Sequence, residues 1–125
     1  MVMTEGRSAE EYETASAMTA IGMTEKPAIG AVPKYLKTLL VPTPRPDREH
    51  VAIQLHASAM HIDEIYAAQG TALGRFFGPK VVSTTSPYIL GSSVSGVVVG
   101  LGEGVERFHL GDEVIAIPDE GGESG

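Results

Sequence analysis

The chain has 125 residues, 42% of them hydrophobic, a net charge of −7 and no cysteine. That length and apolar content bury one core and define a single domain, while an acidic balance without any Lys or Arg cluster excludes the electrostatic footprint that a phosphate backbone demands. The missing cysteines exclude disulfides, thiolate metal sites and cysteine nucleophiles, and no apolar run approaches the ~20 residues needed to cross a bilayer.

Residues 1–17 set Glu5, Glu10, Glu11 and Glu13 against Arg7, with no apolar periodicity and no apolar core of a signal peptide. They read as a disordered acidic leader rather than a targeting segment, which predicts a cytoplasmic protein with neither nucleic-acid nor membrane partners. The fold is expected to occupy residues 18–118. Residues 18–23 form a plausible opening strand, and Pro27, Gly30 and Pro33 mark a loop. Leu36 to Val41 resumes an extended segment that Pro42, Pro44 and Pro46 end, because proline removes ladder donors.

The clearest strand runs from His50 to Ala59: Val51, Ile53, Leu55 and Ala57 alternate with Gln54, His56 and Ser58, so the apolar set faces the core. Ile62, Ile65, Tyr66 and Gln69 then fall at helical spacing, with Gly70 placed for a left-handed cap. Residues 71–87 read as loop, with Phe76 and Phe77 tucked against apolar surface. Residues 94–100 and 113–117 are β-branched strands, joined through the turn at Gly111 and Asp112. Residues 119–125 read as a truncated loop. The pattern predicts a mainly β, compact and partly open barrel with one or two short helices.

Three stretches invite a functional reading. Gly100, Gly102 and Gly104 follow a valine-rich strand, yet Val105 stands where a dinucleotide fingerprint needs glycine, and another strand follows where it needs a helix. This is a turn. The joint between the His50–Ala59 strand and the next helix presents His61, Asp63, Glu64 and Tyr66. His61 is placed to shuttle a proton and Tyr66 to donate to a developing oxyanion, with Asp63 or Glu64 orienting either one. The plainer alternative is a solvated His61, acidic residues that favour the helix N-terminus, and an ordinary half-buried Tyr66. Ser92 and Ser93 precede a buried strand, where small residues serve either a ligand or close packing. His50, His56 and His109 lack metal-ligand spacing and read as surface residues.

In order along the chain, these pieces resemble the N-terminal, GroES-like domain of the medium-chain dehydrogenase/reductase superfamily. The resemblance rests on Pro42-Thr43-Pro44 before Val51-Ala52-Ile53, the Ala57 to Gly70 segment, and Leu90-Gly91 through Ser95-Gly96-Val97-Val98. It continues through Gly100, Gly104-Val105, Phe108 and Gly111-Asp112-Glu113-Val114. In the zinc alcohol dehydrogenases a cysteine would stand at His61, and a histidine and a glutamate at Ser92 and Ser93. The resemblance is therefore closer to the zinc-free quinone oxidoreductases and enoyl reductases, which carry a tyrosine at the place of Tyr66.

The resemblance implies an NADPH-dependent oxidoreductase that needs no metal and whose Rossmann domain is absent from this chain. A quinone, enone or enoyl thioester would accept a hydride, and the full-length protein would be a homodimer. Catalytic roles would fall to Tyr66 and His61, contacts with NADPH to Ile62 and Asp63, and the lining of the pocket for a small carbonyl substrate to Glu64 and Ser92. Alone, the chain would be inactive. Two rival readings are a stand-alone GroES-like module for binding or oligomerisation, and a trans-acting enoyl reductase of a polyketide pathway.

Overall fold

The computed structural model describes residues 8–26, 32–69, 82–91 and 93–117. The elements in chain order are α1 (Ala9–Thr14), β1 (Ala17–Met23), α2 (Val32–Tyr35), β2 (Lys37–Pro42), β3 (Val51–Ala59), α3 (Ile62–Gln69), β4 (Tyr88–Ile89), β5 (Ser93–Leu101) and β6 (Glu113–Ala116). Two three-stranded sheets carry the fold, ordered β2-β1-β4 and β3-β5-β6. Every pairing in them is antiparallel. Neither sheet closes on itself, so the architecture is mainly β and open, and the described residues contain no parallel strand pair of the kind a Rossmann unit needs.

Strand β5 is the spine of the second sheet. Val94 and Val98 on one of its faces are buried, at 6% and 0% exposure, while Ser93, Ser95 and Val97 on the other are half-buried. The alternation follows from the two-residue period of a strand. In the first sheet, Met23 at the end of β1 is fully enclosed by Tyr35, Leu36, Val82 and Tyr88. Two pieces of that enclosure depart from the reading of the sequence: α2 lies where Pro33 marks a loop, and the two-residue β4 directly follows the loop read over residues 71–87.

Strand β3 departs from simple alternation. Its pairing with β5 shifts register between Ala52 and Ile53 and again between Leu55 and Ala57. The first shift leaves Val99 of β5 as the extra residue and the second leaves His56 of β3, so the β3 side chains that follow His56 move to the opposite face. Thus His56 is exposed while Ser58, expected beside it on the outer face, is buried at 6%.

The largest correction concerns the leader. Ser8 caps α1 through a full capping box: its hydroxyl accepts from the Glu11 amide at 3.2 Å, and the Glu11 carboxylate accepts from the Ser8 amide at 2.7 Å. Tyr12 is buried at 6%, donates its hydroxyl to the Pro44 carbonyl at 2.8 Å, and lies under the Arg45 guanidinium at 4.7 Å. Arg45 also donates to the carbonyls of Tyr12, Glu13 and Ala15 at the end of α1, where helical partners run out. Residues 8–17 therefore belong to the folded domain. An acidic composition suggested otherwise because the apolar anchor is one tyrosine, whose partners lie far along the chain. Residues 1–7, the Gly70 cap, the Phe76 and Phe77 contact, Ser92 and residues 118–125 lie outside the described residues.

Around Gly100 to Gly104 the chain makes a turn, as its spacing predicts. The Gly102 amide donates to the His50 carbonyl at 2.9 Å, the Val105 amide donates to Gly102 at 3.3 Å, and the chain continues to β6 without a helix.

Candidate functional site

Strand β3 ends at Ala59 and α3 starts at Ile62, so only Met60 and His61 make the turn. His61 therefore occupies the N-cap position of α3. The same stretch of β3 pairs with the start of β5, with Ala59 opposite Ser93. This register brings His61 to β5, and its Nε2 lies 3.0 Å from the Ser93 hydroxyl, with the donor set by the ring tautomer. Both groups are accessible to a ligand, since His61 is exposed and Ser93 half-buried.

Behind this pair sits Glu64, the third residue of α3, with only 6% of its surface exposed. Its Oε2 accepts the His61 amide at 2.8 Å, which is the second half of a capping box built without a Ser or Thr cap. Its Oε1 accepts the Gly91 amide at 2.5 Å. Gly91 has a φ of 119°, a conformation that a side chain disfavours, and it is the last described residue before Ser93. A buried carboxylate is tolerable here because two amides and the positive end of α3 face it. Half-buried Tyr88 lies close enough to respond: burial first, and the Glu64 charge second, push its phenol above the ordinary value of 10.0.

The remaining sequence-derived candidates are placed as follows. Tyr66 is half-buried on α3, and Ile62 at the start of the helix is 57% exposed. Asp63 belongs to α3 by its backbone. Ser92 falls outside the described residues, and Ser93 provides the hydroxyl that meets His61. Glu64, expected at a substrate pocket, directs both oxygens at backbone amides. His50, His56 and His109 are exposed, as their spacing suggests. Among the described residues no group of three His, Asp or Glu side chains converges.

An open groove of about 440 Å³ adjoins the pair and is lined by Ala57, Ser58, Met60, Ser93, Val94 and Ile115 among others. It is mostly apolar, and the Ser58 hydroxyl at its base has no hydrogen-bond partner. An imidazole and a hydroxyl at a helix start, beside an apolar groove, place hydrogen-bonding groups at the edge of an apolar surface. Sequence reasoning overlooked Gly91 and Ser58. The only local signal for the Gly91 contact was a glutamate five residues after the end of β3.

Comparison with known proteins gives the following. The family described as "Alcohol dehydrogenase GroES-like domain" matches residues 47–124. A crotonyl-CoA carboxylase/reductase from Cereibacter sphaeroides is 35% identical over 77 residues, which cover 61% of this chain and 17% of that protein. The structure of a quinone oxidoreductase from Coxiella burnetii superimposes with a TM-score of 0.64 at 29% identity, over 81% of this chain and 29% of that one. The structure of the crotonyl-CoA carboxylase/reductase AntE in complex with NADP superimposes with a TM-score of 0.65 at 25% identity, over 83% and 25% respectively. The chain spans less than a quarter of the length of the curated relatives it matches.

Proposed function

The chain belongs to the alcohol dehydrogenase GroES-like domain family of the medium-chain dehydrogenases/reductases, and on that footing we propose that it is the substrate-side domain of a zinc-independent, NADPH-dependent oxidoreductase. The domain runs from α1 to about residue 118. The substrate is a small conjugated carbonyl compound: a quinone, an enone or an enoyl thioester. The observation that carries this reading is the His61–Ser93 pair at 3.0 Å, a hydrogen-bonding constellation in a cleft of a chain that has no cysteine. The quinone oxidoreductase and crotonyl-CoA carboxylase/reductase likenesses support the substrate class, and the NADP complex supports the cofactor.

NADPH, held mainly by a Rossmann domain beyond this chain, supplies a hydride to the substrate when bound. This chain forms the opposite wall. Ile62, exposed at the start of α3, and Asp63, which follows it in the chain, would hold the nicotinamide end of the cofactor. The substrate carbonyl lies against the start of α3, where Tyr66 and His61 donate hydrogen bonds to its oxygen. Charge develops on that oxygen as the conjugated carbon is reduced, so donors positioned there lower the barrier. Ser93 holds the His61 ring in one orientation, and the family pattern assigns Ser92 to the substrate pocket as well. The metal-free reading follows from residue types: zinc relatives place a cysteine at His61 and a histidine and a glutamate at Ser92 and Ser93, and serine hydroxyls are poor substitutes for those ligands.

The test is Tyr66→Phe in the full-length protein, assayed with NADPH and a quinone or an enoyl thioester. Turnover should fall on the order of 10²-fold with little change in KM, the cost of removing one donor to an oxyanion. Unchanged turnover removes Tyr66 from the chemistry. Activity that a chelator abolishes and zinc restores overturns the metal-free reading.

A further inference from the structure

Glu64 has an unusual pair of partners. Its two oxygens accept amides from two segments remote in sequence: His61 in the turn before α3, at 2.8 Å, and Gly91 in the approach to β5, at 2.5 Å. Those segments carry the two members of the candidate pair, since the first delivers the His61 ring and the second leads directly into Ser93. The carboxylate itself is 6% exposed and has no ion pair among the described residues. Two amides and the N-terminus of α3 compensate its charge, so both contacts must be kept for burial to be tolerable.

We infer that Glu64 is a positioning residue, a clamp that sets the distance between His61 and Ser93 by holding the backbone on either side of the cleft, and that it does not touch the substrate. What the pair acts on rests on the reaction proposed above. The clamp itself does not. Glutamine has one carbonyl oxygen, so it keeps at most one amide at that length and turns an N–H donor toward the other. Aspartate keeps the charge but is one methylene shorter, and it cannot span both amides.

The experiment uses NMR of the 125-residue chain with neither substrate nor cofactor, comparing the wild type with Glu64→Gln, Glu64→Asp and Ser93→Ala. In the wild type, the His61 and Gly91 amides should exchange at least 100-fold more slowly than unprotected amides. The His61 Nε2 resonance should carry a hydrogen-bond shift that Ser93→Ala removes. Glu64→Gln and Glu64→Asp should each release one of the two amides, and the Nε2 resonance should move to the position it takes in Ser93→Ala. Ser93→Ala should leave both amides protected.

A folded Glu64→Gln protein whose Nε2 resonance matches the wild type overturns the inference, because a merely structural glutamate would behave that way. If neither Glu64 variant folds, the wild type alone decides: an unprotected Gly91 or His61 amide overturns the clamp. Loss of Gly91 protection in Ser93→Ala overturns it too, since the pair would then be holding the backbone. A failed reduction assay counts against the proposed reaction and leaves these readouts unaffected.

Discussion

Adding one methyl group to Gly100 tests whether α1 is packed onto the sheet. A Cβ there would lie 2.7 Å from Cε1 and 3.2 Å from Cζ of Tyr12, and 3.2 Å from the Cβ of Ala52. Carbon atoms settle about 3.5–4.0 Å apart, so the tyrosine ring must retreat by about 1 Å. Its hydroxyl bond to Pro44 and the overlying Arg45 hold it in place. Overpacking of this kind costs about 1–3 kcal/mol, and a strained Tyr12–Pro44 bond adds up to about 1 kcal/mol, so Gly100→Ala should destabilise by about 2 kcal/mol. Tyr12→Ala should cost about 3 kcal/mol, at the low end for a buried aromatic because α1 sits at the margin of the domain.

The decisive measurement is the double mutant. With the ring gone, the added methyl group meets only the Ala52 contact, so Gly100→Ala in the Tyr12→Ala background should cost less than about 0.5 kcal/mol. The coupling energy is then about 1.5 kcal/mol, well above the scatter expected of independent sites. Urea denaturation of the four proteins, followed by far-ultraviolet circular dichroism, measures it. Equal cost in both backgrounds would refute the packing of α1 and restore the reading of residues 8–17 as a mobile leader.

Tyr88 predicts an alkaline instability. Its folded-state pKa is raised, so this residue leaves stability unchanged below 10.0 and removes it as pH rises past that value and through the folded pKa; Tyr88→Phe should flatten the decline, and parallel urea titrations between neutral and alkaline pH would show whether it does. Ser58 has a buried hydroxyl without a partner, so Ser58→Ala should be neutral or stabilise by up to about 1 kcal/mol, and a clear drop in Tm would reveal an unrecognised bond. The Tyr66 and Glu64 substitutions described above complete the set.

Much of the fold was legible because its signals are local. The β-branched run of residues 94–100, the alternation after His50 and the helical spacing from Ile62 to Gln69 each correspond to an element in place. The false dinucleotide motif could also be dismissed locally, since Val105 stands where glycine is needed. What failed depended on distance. Ser8 and Glu11 spell a capping box in four letters, but acidic neighbours outweighed it, and the tyrosine that anchors α1 is buried against Gly100, Pro44 and Arg45. Short α2 and β4 escaped because proline and a two-residue strand carry almost no periodicity.

The candidate site divides along the same line. Chain order and residue type alone determined that His61, Glu64 and Tyr66 stand at a strand-to-helix joint, that these 125 residues supply no thiolate, and that the family is a dehydrogenase/reductase domain. Only the tertiary structure decided that His61 meets Ser93, that Ser58 turns inward, and that Glu64 reaches back to Gly91. The reason is register: one bulge in β5 and one in β3 choose which side chains face which, and a hydrogen bond between residues far apart in sequence forms only once β3 and β5 are paired in that alignment.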